Sequence, residues 1–168
     1  MINSLRKLFR PQPAVPQAAI PPGERVYAVG DIHGRRDLFD ALIGAVEADD
    51  RDRGEADTTI VLLGDLVDRG ADSAGVIASA RALQQRRKVR IIAGNHEEMF
   101  LQCFEDLELL RHFLRFGGRE TILSYPLDIL QWNDATLEEA QLLMREIVPA
   151  ADIAFMRSFE DTIAIGDY

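Results

Sequence analysis

Hydrophobic and polar positions follow two rhythms along this chain. Val26-Tyr27-Ala28-Val29, Thr59-Ile60-Val61-Leu62-Leu63 and Val89-Arg90-Ile91-Ile92-Ala93 are short apolar runs, closed by Gly30, Gly64 and Gly94. Two of them are apolar almost throughout, the pattern of parallel strands covered on both faces. The gaps carry helical stripes. Phe39, Leu42, Ile43 and Val46 fall at i, i+3, i+4 and i+7; Val76, Ile77, Ala80 and Leu83 repeat the pattern, as do Phe100, Cys103, Phe104 and Leu107. Strand, helix, strand, helix, strand predicts an α/β fold of parallel strands with right-handed crossover helices.

The flanks read differently. Residues 1–10 form a basic, faintly amphipathic leader without the apolar core of a secretory signal. Pro11, Pro13, Pro16, Pro21 and Pro22 make residues 11–23 an extended linker, so the domain begins at residue 24 and runs to 168. Residues 111–158 read as a mostly helical insert beside the sheet. Within it Gly117-Gly118 marks a turn, and Thr136 caps a helix over Leu137–Ile147 that Pro149 ends or interrupts. Thr162-Ile163-Ala164-Ile165 predicts a fourth strand. Asp49-Asp50-Arg51-Asp52-Arg53 reads as a charged loop, without the ligand spacing of a calcium site. Arg86-Arg87-Lys88 reads as a solvated helix end.

Composition narrows the partners. A net charge of -9 argues against a nucleic-acid backbone, but leaves phosphate substrates open where cations reverse the local field. No apolar run approaches the roughly 18 residues that span a membrane. Cys103 is the single cysteine, which suits a reducing, cytoplasmic setting, and its place in a helical stripe makes it a buried hydrophobe. Trp132 and Met144 fit packing in the insert.

The chemistry gathers where the runs end. Gly30-Asp31-Ile32-His33-Gly34, Gly64-Asp65-Leu66-Val67-Asp68-Arg69-Gly70 and Gly94-Asn95-His96-Glu97 each pass from a strand into a glycine and then an oxygen ligand. Open parallel sheets collect ligands at the carboxyl ends of their strands, so Asp31, Asp65 and Asn95 are expected to converge. Carboxylate, amide and imidazole donors suit manganese, iron or zinc. Asp31 and His33 can reach one ion, Asp65 can bridge two, and Asn95 adds a neutral oxygen. Two ions about 3.5–4 Å apart can share a hydroxide and clamp a phosphoryl group. His96 is placed to protonate a departing alkoxide, Asp68 to orient that imidazole, and Arg69 to hold phosphate oxygens through paired hydrogen bonds. Any one of these turns alone is ordinary; three in register are not.

These three blocks resemble the N-terminal signatures of the phosphoprotein phosphatase branch of the calcineurin-like metallophosphoesterases, closely over residues 25–98 and more loosely beyond. The resemblance implies the N-terminal part of a metallophosphoesterase sandwich. It implies metal ligands at Asp31, His33, Asp65 and Asn95 for two divalent ions, manganese foremost and iron or zinc as alternatives. It further implies a catalytic acid at His96, an orienter at Asp68 and a phosphate clamp at Arg69. Phe116-Gly117-Gly118-Arg119-Glu120-Thr121 with Ser124-Tyr125 resembles a segment of bacterial members on the substrate side, with no role attached. The family adds two histidines from later strands. This sequence has only His33, His96 and His112, and His112 falls in the insert as an ordinary helix residue. The expectation is therefore a chain truncated within its domain.

The function expected is hydrolysis of phosphomonoesters, phosphoserine or phosphothreonine in proteins first, by a metal-bridging hydroxide with His96 as general acid. One rival is a dinucleoside polyphosphate hydrolase, from which Asp68 and Glu97 lean away. The other is an inactive metal-binding or regulatory fragment. No partner of the leader is identified.

Overall fold

The structure is a computed structural model that describes residues 18–168. The leader and most of the proline-rich segment, residues 1–17, lie outside the described residues.

Three parallel strands, β1 (Glu24–Val29), β2 (Asp57–Leu62) and β3 (Val89–Ile91), form one sheet in the order β1-β2-β3. The connections are helices α1 (Arg36–Asp52) and α2 (Ser73–Arg86), as the period change predicts. Ile60 and Leu62 on β2 and Val89 and Ile91 on β3 share a buried cluster with Phe39, Ile43 and Val46 of α1 and Val76, Ile77, Ala80 and Leu83 of α2. Leu42, expected on the buried stripe of α1, is 45% exposed.

The opposite face departs from the expectation of cover on both sides. Val26, Ala28, Val61, Leu63 and Ile92 line an apolar hollow of about 320 Å³ with Ile20, Ile163, Ile165 and Tyr168, and Leu63 is 47% exposed. The predicted fourth strand is not formed at Thr162–Ile165. Of residues 158–168 only Glu160 joins the sheet, by a single parallel bridge to Ile92. Its amide donates to Ile91 O (2.8 Å) and its carbonyl accepts from Ala93 N (2.9 Å). An Arg90–Glu160 ion pair fixes this register. The chain then leaves the sheet edge for residues 18–20: Asp167 N donates to Ala19 O, and Tyr168 Oη donates to Ala18 O. Those bonds take the place of a ladder.

After β3 come α3 (Asn95–Gln102), α4 (Leu107–Arg115), α5 (Gly118–Leu123), α6 (Ile129–Asp134), α7 (Leu137–Ile147) and α8 (Ala150–Met156). The helix that enters the expected insert, α4, begins at Leu107 rather than at 111, because Asp106 caps it by accepting from Glu108 N and Leu109 N. Asp128 caps α6, and Thr136 with Glu139 forms a capping box on α7. Each such cap contributes about 1 kcal/mol. Pro149 has the extended backbone that separates α7 from α8. Phe100, Phe113, Ile122, Trp132, Met144 and Met156 extend the core through these helices. Among the described residues no helix is long and apolar enough to cross a membrane.

The charged segment Asp49–Arg53 is not a loop but the last turn of α1 and its cap. Two of its three carboxylates are taken up by neighbours: Asp49 pairs with Arg53 one turn on, and Asp50 accepts from Thr58, Arg25 and Arg87, each at 2.6 Å. Hydrogen bonds, that of Thr58 foremost and then Arg87, hold the Asp50 carboxyl at about 2, below its ordinary 3.8. A carboxyl lowered on folding stabilises the fold above its unfolded value, and that contribution fades as pH falls through the folded one. Thermal melts of Asp50→Asn should therefore lie below wild type at about pH 7, with the gap closing between about pH 4 and pH 2. A gap independent of pH would mean that the carboxylate charge is not what matters.

Candidate active site

All three strand ends open on one side of the sheet. The loops after β1 and β2 are joined through the backbone: Ile32 N and His33 N donate to Asp65 O (3.0 and 2.9 Å), and Gly34 N donates to Leu66 O (2.8 Å). The third end is tied in by Glu97 of α3. Its Oε2 accepts from Asp65 N (2.9 Å) and Gly94 N (3.0 Å), and its Oε1 from Leu66 N (2.8 Å) and Val67 N (3.2 Å). Glu97 is 1% exposed. Burial pushes its carboxyl above the ordinary range, while the four amides pull it back. The approach of the loops is so close that a Cβ on Gly94 would lie 2.2 Å from Asp65 Oδ1. Only glycine fits there.

Among the described residues four non-glycine residues have positive φ, and all four belong to the predicted set: His33 (44°), Asp65 (53°), Asp68 (72°) and Arg69 (67°). Left-handed backbone costs about 1–3 kcal/mol at such residues and persists where surrounding bonds over-determine it. Here the Glu97 carboxylate and the loop-to-loop bonds do so.

The side chains converge accordingly. His33, Asp65 and His96 offer ligand atoms within 4.8 Å of one another. His33 Nδ1–H donates to Val67 O (2.9 Å). That leaves Nε2 buried, without a hydrogen-bond partner among the described residues, and 3.7 Å from Asp31 Oδ2. An imidazole with one nitrogen fixed on a carbonyl and the other bare is the arrangement of a metal ligand. The nearby carboxylates of Asp31 and Asp65 add oxygen donors to it, a set that suits a divalent ion. The residues present therefore fit a metal.

The His96 ring stands edge-on to that of His33, with centroids 4.7 Å apart. Its Nδ1–H donates to Asp68 Oδ2 at 2.6 Å, and its Nε2 accepts from Arg69 Nη2 at 3.1 Å. Asp68 is buried, and burial raises its carboxyl while the bonds from His96 and Thr121 oppose that rise. Arg69 is exposed beside it. Asn95 is exposed at the first residue of α3, and its side chain makes no hydrogen bond to the cluster among the described residues. Asp31 has a side chain 68% exposed. His112 lies outside the cluster, stacked on Phe116 at the end of α4. The Cys103 thiol is fully buried and pushed up to about 12 by burial, which leaves it inert.

Three contributors have roles that the sequence does not show. Glu97 reads there as a block-ending residue rather than a tether for four amides. Thr121 and Ser73 are fully buried against Asp68. Thr121 Oγ1 donates to Asp68 Oδ1 (2.7 Å) across 53 positions of chain, a distance that no motif spacing encodes.

The comparisons with known proteins agree on the family. Residues 24–146 match the calcineurin-like phosphoesterase family. The chain is 38% identical over 78 residues to a symmetrical bis(5'-nucleosyl)-tetraphosphatase of Klebsiella pneumoniae, covering 46% of this chain and 25% of that protein. It is 34% identical over 116 residues to one of Legionella pneumophila, covering 69% and 32%. A zinc-dependent endopolyphosphatase of Saccharomyces cerevisiae is 35% identical over 77 residues, covering 45% and 22%. The chain thus spans a third or less of the length of these curated relatives. With its strand ends, its histidine pair and its matched span taken together, the chain belongs to the calcineurin-like phosphoesterases.

Proposed function

We propose that the chain carries the acid, the phosphate clamp and part of the metal-ligand set of a hydrolase of phosphomonoesters, phosphoserine and phosphothreonine in proteins foremost. The observation that carries this reading is the His96 ring, held between Asp68 and Arg69 and standing against His33. Asp31, His33, Asp65 and Asn95 would hold two divalent ions, with manganese the first candidate and iron or zinc next. When bound, such ions activate water and neutralise charge on the phosphoryl oxygens.

The remaining work falls to side chains. Asp68 keeps Nδ1 protonated and stabilises the imidazolium; once Arg69 leaves Nε2, that nitrogen takes a proton from water and delivers it to the departing oxygen. The Arg69 guanidinium, which rests on Nε2, turns to the phosphoryl oxygens when substrate arrives. This frees the acid position and supplies paired hydrogen bonds to the developing charge. An acid matters most where the leaving group is poor. Serine and threonine alkoxides are poor leaving groups, whereas a nucleotide phosphate leaving an anhydride is a good one. The buried Asp68–His96 pair therefore favours the ester.

A second reading, cleavage of dinucleoside polyphosphates, is favoured by the names of the tetraphosphatase relatives. Turnover of a phosphoserine peptide and of diadenosine tetraphosphate should be measured side by side with manganese. We expect the peptide to be favoured in kcat/KM. Preference for the dinucleotide would replace the first reading by the second. Turnover of neither, with metal still bound, would leave a metal-binding or regulatory module.

A further inference from the structure

We propose that Thr121 of α5 is a positioning residue that sets the Asp68 carboxylate against His96, through a relay that begins at Ser73. This rests on the reading of His96 as the acid.

The relay is read from its donors. Asp68 Oδ2 is taken by His96 Nδ1 at 2.6 Å, and Oδ1 by Thr121 Oγ1 at 2.7 Å. The single proton of Thr121 is thereby committed. The Ser73–Thr121 contact at 2.9 Å must then use the serine proton, so Ser73 donates to Thr121 and Thr121 to Asp68. The backbone N–H of Asp68 closes the unit by donating to Thr121 Oγ1 (2.8 Å) and Ser73 Oγ (3.0 Å). Both hydroxyls are fully buried. Thr121 thus holds the amide and the carboxylate of one residue, fixing the plane of the carboxylate that His96 must meet.

The rest of α5 is placed to serve this contact. Gly117, at φ 101°, accepts from Arg69 N at 2.9 Å, and a Cβ there would lie 2.8 Å from Arg69 Cγ. At the other end Ser124 Oγ accepts from Ala74 N at 2.9 Å. The segment 117–124 is therefore bonded to 68–74 at its start, middle and end. The start touches Arg69 and the middle touches Asp68. A helix held for packing alone would be served as well by valine at 121, since that side chain has the same shape without the hydroxyl.

The test uses Thr121→Val and Thr121→Ser, each in wild type and in Asp68→Asn. One readout is the downfield proton resonance of His96 Nδ1–H in protein carrying ¹⁵N-histidine. The other is kcat and KM on p-nitrophenyl phosphate with saturating manganese. Thr121→Val is expected to shift the resonance and lower kcat by about 10- to 100-fold at unchanged KM, as loss of an outer hydrogen-bond partner does. Thr121→Ser should restore both, and Thr121→Val should add no loss in Asp68→Asn, because the two act as one unit. An unmoved resonance with wild-type kcat, or an undiminished loss in the Asp68→Asn background, would overturn the proposal. Should Thr121→Val fail to fold, Ser73→Ala breaks the same relay one link back. A shifted resonance there supports the relay and an unmoved one sinks it. If the wild-type chain does not turn over the ester, the phosphatase reading falls, while the resonance arm still decides the role of Thr121.

Discussion

Replacing His96 by alanine is expected to lower turnover by about 100- to 10,000-fold, the usual worth of a positioned general acid. KM and bound metal should change little, because the ring is committed to Asp68 and Arg69 rather than left bare as His33 Nε2 is. The two histidines differ in this respect although both lie in the donor cluster. A His33→Ala counterpart serves as the contrast, since it removes the unpartnered nitrogen. Metal content after dialysis, measured beside kcat, distinguishes the roles. If His96→Ala loses its metal along with its activity, His96 is a ligand and the acid must be sought elsewhere.

The second large effect is structural. Glu97→Ala removes the acceptor of four backbone amides, of which those of Leu66 and Val67 are fully buried. A buried donor left without a partner costs about 1–3 kcal/mol, so these two alone cost about 2–6 kcal/mol. That is a large part of the roughly 5–15 kcal/mol that holds a domain folded. Urea unfolding should show a midpoint lowered accordingly at an unchanged slope, with Glu97→Gln intermediate because one carbonyl oxygen remains. A loss below about 0.5 kcal/mol, the scale of a neutral surface change, would show that the loops hold their shape without the tether.

These two residues mark what can be read from sequence and what cannot. The meeting of His33, Asp65 and His96 is legible because each follows its strand within a few positions, and parallel strands place their ends together. Thr136 is legible because a capping box is a local pattern. Thr162–Ile165 misleads because an apolar β-branched run carries no information on whether an edge will receive it. Here the pairing stops after a single bridge at Glu160, and the following residues bond to residues 18–19 instead. The charges at Asp49–Arg53 mislead for a related reason. Their polarity suits a loop until Arg25, Thr58 and Arg87 converge on Asp50, and those partners come from β1, β2 and the end of α2. Thr121 lies in the segment 116–121 that the sequence singles out without a role, and that role shows only as a contact made by the finished fold.

The four left-handed residues give the site a direction of drift under mutation. Glycine at position 33 or 69 would relax a positive φ while deleting the imidazole or the guanidinium. A gain in stability at either place is therefore a loss of chemistry, and a chain selected for foldability alone would lose its site there first. In any collection of variants screened for solubility or melting temperature, glycine at these positions is the sign of a fold outliving its function.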